Sequence, residues 1–314
     1  MAIVPKQYLT SAPPPIHSIA LVGLFLAVFL AILPPAEQLD KYATVQVFTH
    51  RVFPQIISVA ALAYTRLFFA LFIFTVSFHT TFIGKGWIQV TQYLPSSKLI
   101  KASIQMTGFK TQLPFTSWAW NLLGLSFALN AYITLLTTSQ QTIAPWILRT
   151  ALLVYETAAP CTLLVAAVVR YAIWPNILRN GGSTNELRHP RTLLMHNANV
   201  IMALSEVCWM GGLPVHISHI GIAPLFGLSY VVFTWCTMHQ WTNKCHGPQC
   251  IYFFFDTTLG TTTSLALLVL LAVLMVAFVI FSVAQILLTS VGGGWIVHWL
   301  FLVGIAVGVC KWKD

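Results

Sequence analysis

Long apolar runs separated by short polar stretches set the pattern of this chain. Eight of them, near residues 18–35, 54–78, 116–138, 145–173, 192–213, 219–241, 262–288 and 293–310, are long enough as helices to cross a hydrocarbon core of about 30 Å. No run shows the alternating polar and apolar positions of a membrane β-barrel, and a helix satisfies every backbone group inside lipid. The expected fold is all-α, a multi-pass transmembrane helical bundle of about eight helices. Residues 54–288 hold six of them as a core, residues 1–53 add one, and residues 289–314 add another with a short basic tail.

Composition agrees: 57% of residues are hydrophobic, 7% are charged and the mean hydropathy is +0.80, which excludes an ordinary soluble domain. The net charge of +9 reads as topology rather than as a nucleic-acid surface. If the termini share a side, that side collects Lys6, Lys85, Lys98, Lys101, Lys110, Arg170, Arg179, Arg188, Arg191, Lys244, Lys311 and Lys313, and the other only Lys41, Arg51 and Arg149. Both termini and the connections at 79–115 and 174–191 are therefore expected in the cytoplasm, with the endoplasmic reticulum or another intracellular membrane as the location. The lysines of the 79–115 connection suit an anionic headgroup surface or an ordinary solvated loop. A single lysine before the first run, with no small-residue cleavage site after it, argues against a cleaved signal. No cysteine falls in an expected outer loop, so no disulfide framework is implied. "CHGPQC" at 245–250 has too few ligands for a closed zinc site, and neither metal nor cofactor is expected.

Polar residues inside the spans carry the information, because each costs free energy in lipid unless it faces protein or water. On an α-helix, His196, Asn199 and Glu206 share one stripe, while Asn197 and Ser205 point elsewhere. Arg66, Asn130, Glu156 and Glu206 lie at a common midplane depth, where a lone arginine needs a counterion, and Glu156 and Glu206 are the available acids. Their cluster either fixes helix packing or closes the bottom of a pocket. Thr116 follows Lys110 by six residues and His196 follows Arg191 by five, which sets both near one membrane boundary. A threonine hydroxyl becomes a nucleophile when a base takes its proton, and neutral histidine is the commonest base near pH 7. The same residues also suit a helix cap and an interhelical hydrogen bond.

The stretches "FKTQLPFTSWAWNLLGLSFALNAY", "LLMHNANVIMALSEV", "APLFGLSYVVFTWCTMHQW" and "IYFFFDTTLG" together resemble the androgen-induced-gene / androgen-dependent TFPI-regulating protein family over roughly residues 54–288. The resemblance implies a six-helix membrane hydrolase of fatty acid esters of hydroxy fatty acids, with Thr116 as nucleophile and His196 as base. It matches Glu206 to the acid ten residues after that histidine, His239 to a later histidine and Asp256 to a later acid. The rolling-stone membrane proteins share the His-x-x-Asn pattern of His196 to Asn199. The expected partners are membrane lipids and a lipid ester substrate, held by Phe115, Trp118, Trp120, Phe127 and Tyr230, with Asn199 steadying the imidazole or the ester oxygen. Protein partners are not legible. A non-catalytic scaffold or lipid-binding subunit of a larger complex is the alternative, and a transporter using Arg66, Glu156, Glu206 and His196 is a further one.

Overall fold

A computed structural model describes residues 8–290 and 294–313. Helices dominate: α1 (Ile16–Ala31), α2 (Ala36–Tyr42), α3 (Val45–Thr49), α4 (Val59–Phe78), α5 (Phe115–Thr138), α6 (Pro145–Val168), α7 (Trp174–Arg179), α8 (Asn185–Arg188), α9 (Pro190–Leu193), α10 (Asn199–Cys208), α11 (Ile222–Thr237), α12 (Thr261–Ser290) and α13 (Trp295–Val309). The molecule is an all-α, membrane-embedded bundle. Among the described residues, five helical stretches are long and apolar enough to span a bilayer: Val59–Ile83, Phe115–Thr138, Pro145–Arg179, Ile217–Gln240 and Thr261–Leu288. A sixth span would be α1 with α2 and α3, bent by 67° where Pro34 and Pro35 interrupt the helix.

The remaining two of the eight expected spans differ. The stretch Pro190–Cys208 is helical throughout but does not join the apolar spans, because His196, Asn197, Asn199, Ser205 and Glu206 lower its hydropathy. Helix α13 has only fifteen residues. Between α4 and α5, the connection forms a small antiparallel ribbon of β1 (Trp87–Gln89) and β2 (Ile104–Met106), with Trp87 opposite Met106.

Helix α6 is the hub, buried along most of its length and touching α2, α5, α10, α11, α12 and α13. Helices α4 and α5 pack closely, and a Cβ added at Gly124 would come within 2.6 Å of Ile73 Cγ2. A small residue is what allows two backbones to approach in a membrane. Exposed Phe68, Leu71, Leu265, Val269 and Val276 give α4 and α12 apolar outer faces, as lipid contact requires.

The midplane polar residues form two separate groups rather than one. Arg66 pairs with Glu206, Nη2 to Oε1 at 2.5 Å and Nε to Oε2 at 3.1 Å, and Nη1 donates to Phe48 O and Thr134 Oγ1. Glu156 instead accepts from the His219 ring at 2.7 Å and from the His216 backbone N–H at 2.7 Å. Asn130 joins neither, since its Nδ2 donates to Ser126 Oγ on its own helix and Thr134, one turn on, meets Arg66. Both acids and the arginine are fully buried.

Candidate functional site

Pro114 opens α5, since its fixed φ suits a helix start, and Thr116 stands in the first turn. Facing it, the chain from α9 to α10 passes through a π-helical segment, Leu194–Ala198, that contains His196. Thr116 Oγ1 lies 3.3 Å from His196 Nε2, and both residues are buried. The two boundary residues matched by flanking charge thus meet in space. The wider π turn also breaks the stripe expected from a regular α-helix, because its i→i+5 bonding changes the direction of His196 relative to Asn199.

A third group completes the cluster. The Tyr252 hydroxyl, from the loop between α11 and α12, lies 3.5 Å from both Thr116 Oγ1 and the Thr116 backbone N–H. Burial raises the Tyr252 phenol above its ordinary range, and the hydrogen bonds to Thr116 oppose this only in part. It therefore stands as a neutral hydroxyl that accepts from the Thr116 N–H and has its own proton to donate.

Two cavities meet at Thr116 and Tyr252. One encloses about 770 Å³, part of it open, between α1, α6, α11 and α12, with walls such as Phe25, Val165, Leu228 and Leu270. Almost all of its lining is apolar. The other, about 860 Å³ and also partly open, holds His196 together with Gln89, Thr91, Asn176, Glu186 and Arg191. Arg191 stacks over the Trp87 ring at 3.8 Å, with Glu186 at 3.8 Å from its guanidinium. Thr116 is thus reached from an almost wholly apolar side and from a second side, called polar here for these groups, whose lining is still mostly apolar.

The expected substrate wall is only partly where the sequence placed it. Phe115 and Tyr230 line the apolar cavity. Trp118 stacks outside it, on Tyr230, Phe226 and Phe233. Trp120 and Phe127 face α4 instead: Trp120 Nε1 donates to Ile73 O, and Phe127 packs on Phe69. That face of α5 is the tight α4 interface, so its large side chains serve packing. Asn199 makes no hydrogen bond to the imidazole: its Oδ1 accepts from the Val200 N–H at 2.6 Å, and its buried Nδ2 has no partner among the described residues. Glu206 is committed to Arg66 and the Gly211 N–H. His239 is exposed, with Gln240 beside it, and lines neither cavity. Asp256 accepts from the Thr258 N–H and hydroxyl and shapes the turn before α12.

Sequence reading missed Tyr252, Arg191 as a cavity residue, and the walls given by α1 and α6. Tyr252 lies inside "IYFFFDTTLG", where its phenol is followed directly by three phenylalanines and reads as part of an aromatic run. Fold and site together define a membrane-embedded helical bundle with a buried threonine–histidine pair between an apolar and a polar cavity. No family model, curated protein or solved structure matches the chain.

Proposed function

We propose that the protein is an intramembrane hydrolase of lipid esters, in which Thr116 is the nucleophile and His196 the base. The observation that carries the reading is the contact of Thr116 Oγ1 with His196 Nε2 at the junction of an apolar and a polar cavity. His196 takes the Thr116 proton as the oxygen attacks the ester carbonyl. The tetrahedral intermediate collapses to an acyl-threonine, and His196 returns the proton to the departing alcohol. Water, activated by the same imidazole, then releases the fatty acid and restores Thr116. Tyr252 OH and the Thr116 N–H are the nearest donors to a developing oxyanion. The apolar cavity takes the acyl chain and the polar one the alcohol part. The resemblance to the androgen-induced-gene family supports the same chemistry and suggests fatty acid esters of hydroxy fatty acids as substrates. The test is turnover of long-chain esters by the purified protein in nanodiscs, and a well-folded preparation that cleaves none would refute the reading.

The cavity assignment has its own consequence. A side chain added at Gly227 meets only Leu274 Cδ2, at 3.5 Å, so it grows into the apolar cavity without disturbing the helix. Gly227→Leu should lower kcat/KM for long acyl chains by about ten- to hundred-fold while sparing short ones. Equal loss for both lengths would remove the acyl chain from this cavity.

In the same reading, the termini and the site end of the bundle face the cytoplasm of an intracellular membrane such as the endoplasmic reticulum. An acceptor tag fused after residue 314 should stay unglycosylated in cells, and a glycan there would reverse the orientation.

A further inference from the structure

Asn197 follows His196 but points away from the cavities, and it is nearly fully buried. Its amide has partners on both sides. Nδ2 donates to Lys311 O at 2.8 Å, and the Lys311 N–H donates to Oδ1 at 3.4 Å. Cys310 Sγ lies 3.9 Å from the Asn197 carbonyl oxygen, within the π turn itself. The chain after α13 reaches this point because a second π segment, Val169–Ile173, holds the end of that helix. Arg170 Nη1 donates to Val307 O and, at 2.6 Å, to Cys310 O, and the Tyr171 hydroxyl donates to Gly308 O at 2.6 Å. Carbonyls at a helix end have no partner within the helix, and these side chains supply them.

Backbone 307–311 therefore bridges two π segments that both shape the candidate site. Val169 and Ile173 of one line the apolar cavity, and His196 of the other faces Thr116. A π turn carries an extra residue that a regular α-helix would not hold. Letting it relax shifts the register by one residue, which turns a side chain by about 100°. Such a shift would swing His196 off Thr116, so something must keep the turn in place.

We propose that Asn197 is a positioning residue whose amide, clasped by the main chain at Lys311, fixes the π turn that holds His196 against Thr116. The catalytic part rests on the hydrolase reading; the clasp stands on its own geometry. A buried carboxamide needs partners for both of its ends. Here they come from the segment that follows α13, so the proper seating of that segment governs the site.

Two variants test this: Asn197→Leu, which removes both hydrogen bonds, and a chain ended after Val309, which removes their partner. Hydrogen–deuterium exchange in nanodiscs should show amides 194–199 exchanging about ten-fold faster in each, the loss expected for one net hydrogen bond. The kcat per site, with sites counted as protein eluting in the folded, monodisperse peak, should fall about ten- to hundred-fold with KM little changed, as misplacement of a base by about 1 Å does. A merely structural role would lower the number of folded sites and leave kcat per site alone. Wild-type exchange in both variants would overturn the clasp. Faster exchange with unchanged kcat per site would overturn the positioning role. A wild-type protein that cleaves no ester would refute the hydrolase reading instead, and the exchange rates would then decide the clasp alone.

Discussion

Thr116→Ala and His196→Ala should each reduce ester turnover by about a thousand-fold or more, and the double variant should lose little beyond either one. The first removes the only hydroxyl on which an acyl group can rest in this account. The second leaves that hydroxyl protonated, since Tyr252, the other group beside Thr116, is held neutral by burial and cannot act as a base. General-base assistance contributes about 10² to 10⁴ in rate, and nucleophilic catalysis compounds it. Residues that act as one unit are non-additive, so the double variant should resemble the singles. Thr116→Ser keeps the oxygen and should retain activity. Steady-state rates on one long-chain ester, per mole of folded protein, check all four variants. Full activity in either alanine variant would free that residue from the chemistry. Loss that multiplies in the double variant would mean that the two act separately.

Arg66→Leu should destabilise the protein by about 3 to 5 kcal/mol, because it leaves the Glu206 carboxylate buried without its counterion. The pair is fully enclosed, and Glu206 receives only the Gly211 N–H besides the guanidinium. Arg66→Leu combined with Glu206→Leu should recover much of the loss, since no charge is then stranded. Arg149 and Asp40 provide the contrast. They form a two-bonded pair at 2.6 and 2.7 Å at the other end of α6, but both side chains are substantially exposed. Arg149→Leu should leave stability nearly unchanged, because solvent screens an exposed pair. Reversible unfolding in mixed micelles measures all three variants. Equal losses at Arg66 and Arg149 would mean that water reaches the inner pair.

The helical bundle is legible in the sequence because runs such as 54–78 and 262–288 are long, apolar and free of breakers in their interior. Thr116 and His196 are legible as neighbours because Lys110 and Arg191 mark one membrane boundary on two helices. Partner choice is less so. Arg66 could have met either acid by depth alone, and it meets Glu206 because Glu156 is taken by His219, a residue that reads only as the edge of a span. Thr134 displaces Asn130 from the arginine although the two share a helix face one turn apart. The π turn at 194–198 is invisible to a periodicity of 3.6, and with it the clasp on Asn197. The cavity walls on α1 and α6 depend on which apolar faces pack together, which many arrangements of similar helices satisfy equally.

The central claim is that Thr116 becomes a nucleophile through His196. The direct measurement is peptide mass spectrometry of the protein after reaction with a fluorophosphonate ester. The account predicts one adduct, on Thr116, formed by the wild type and absent from His196→Ala at the same pH and exposure. An adduct on another residue, or equal labelling of Thr116 without His196, would contradict it.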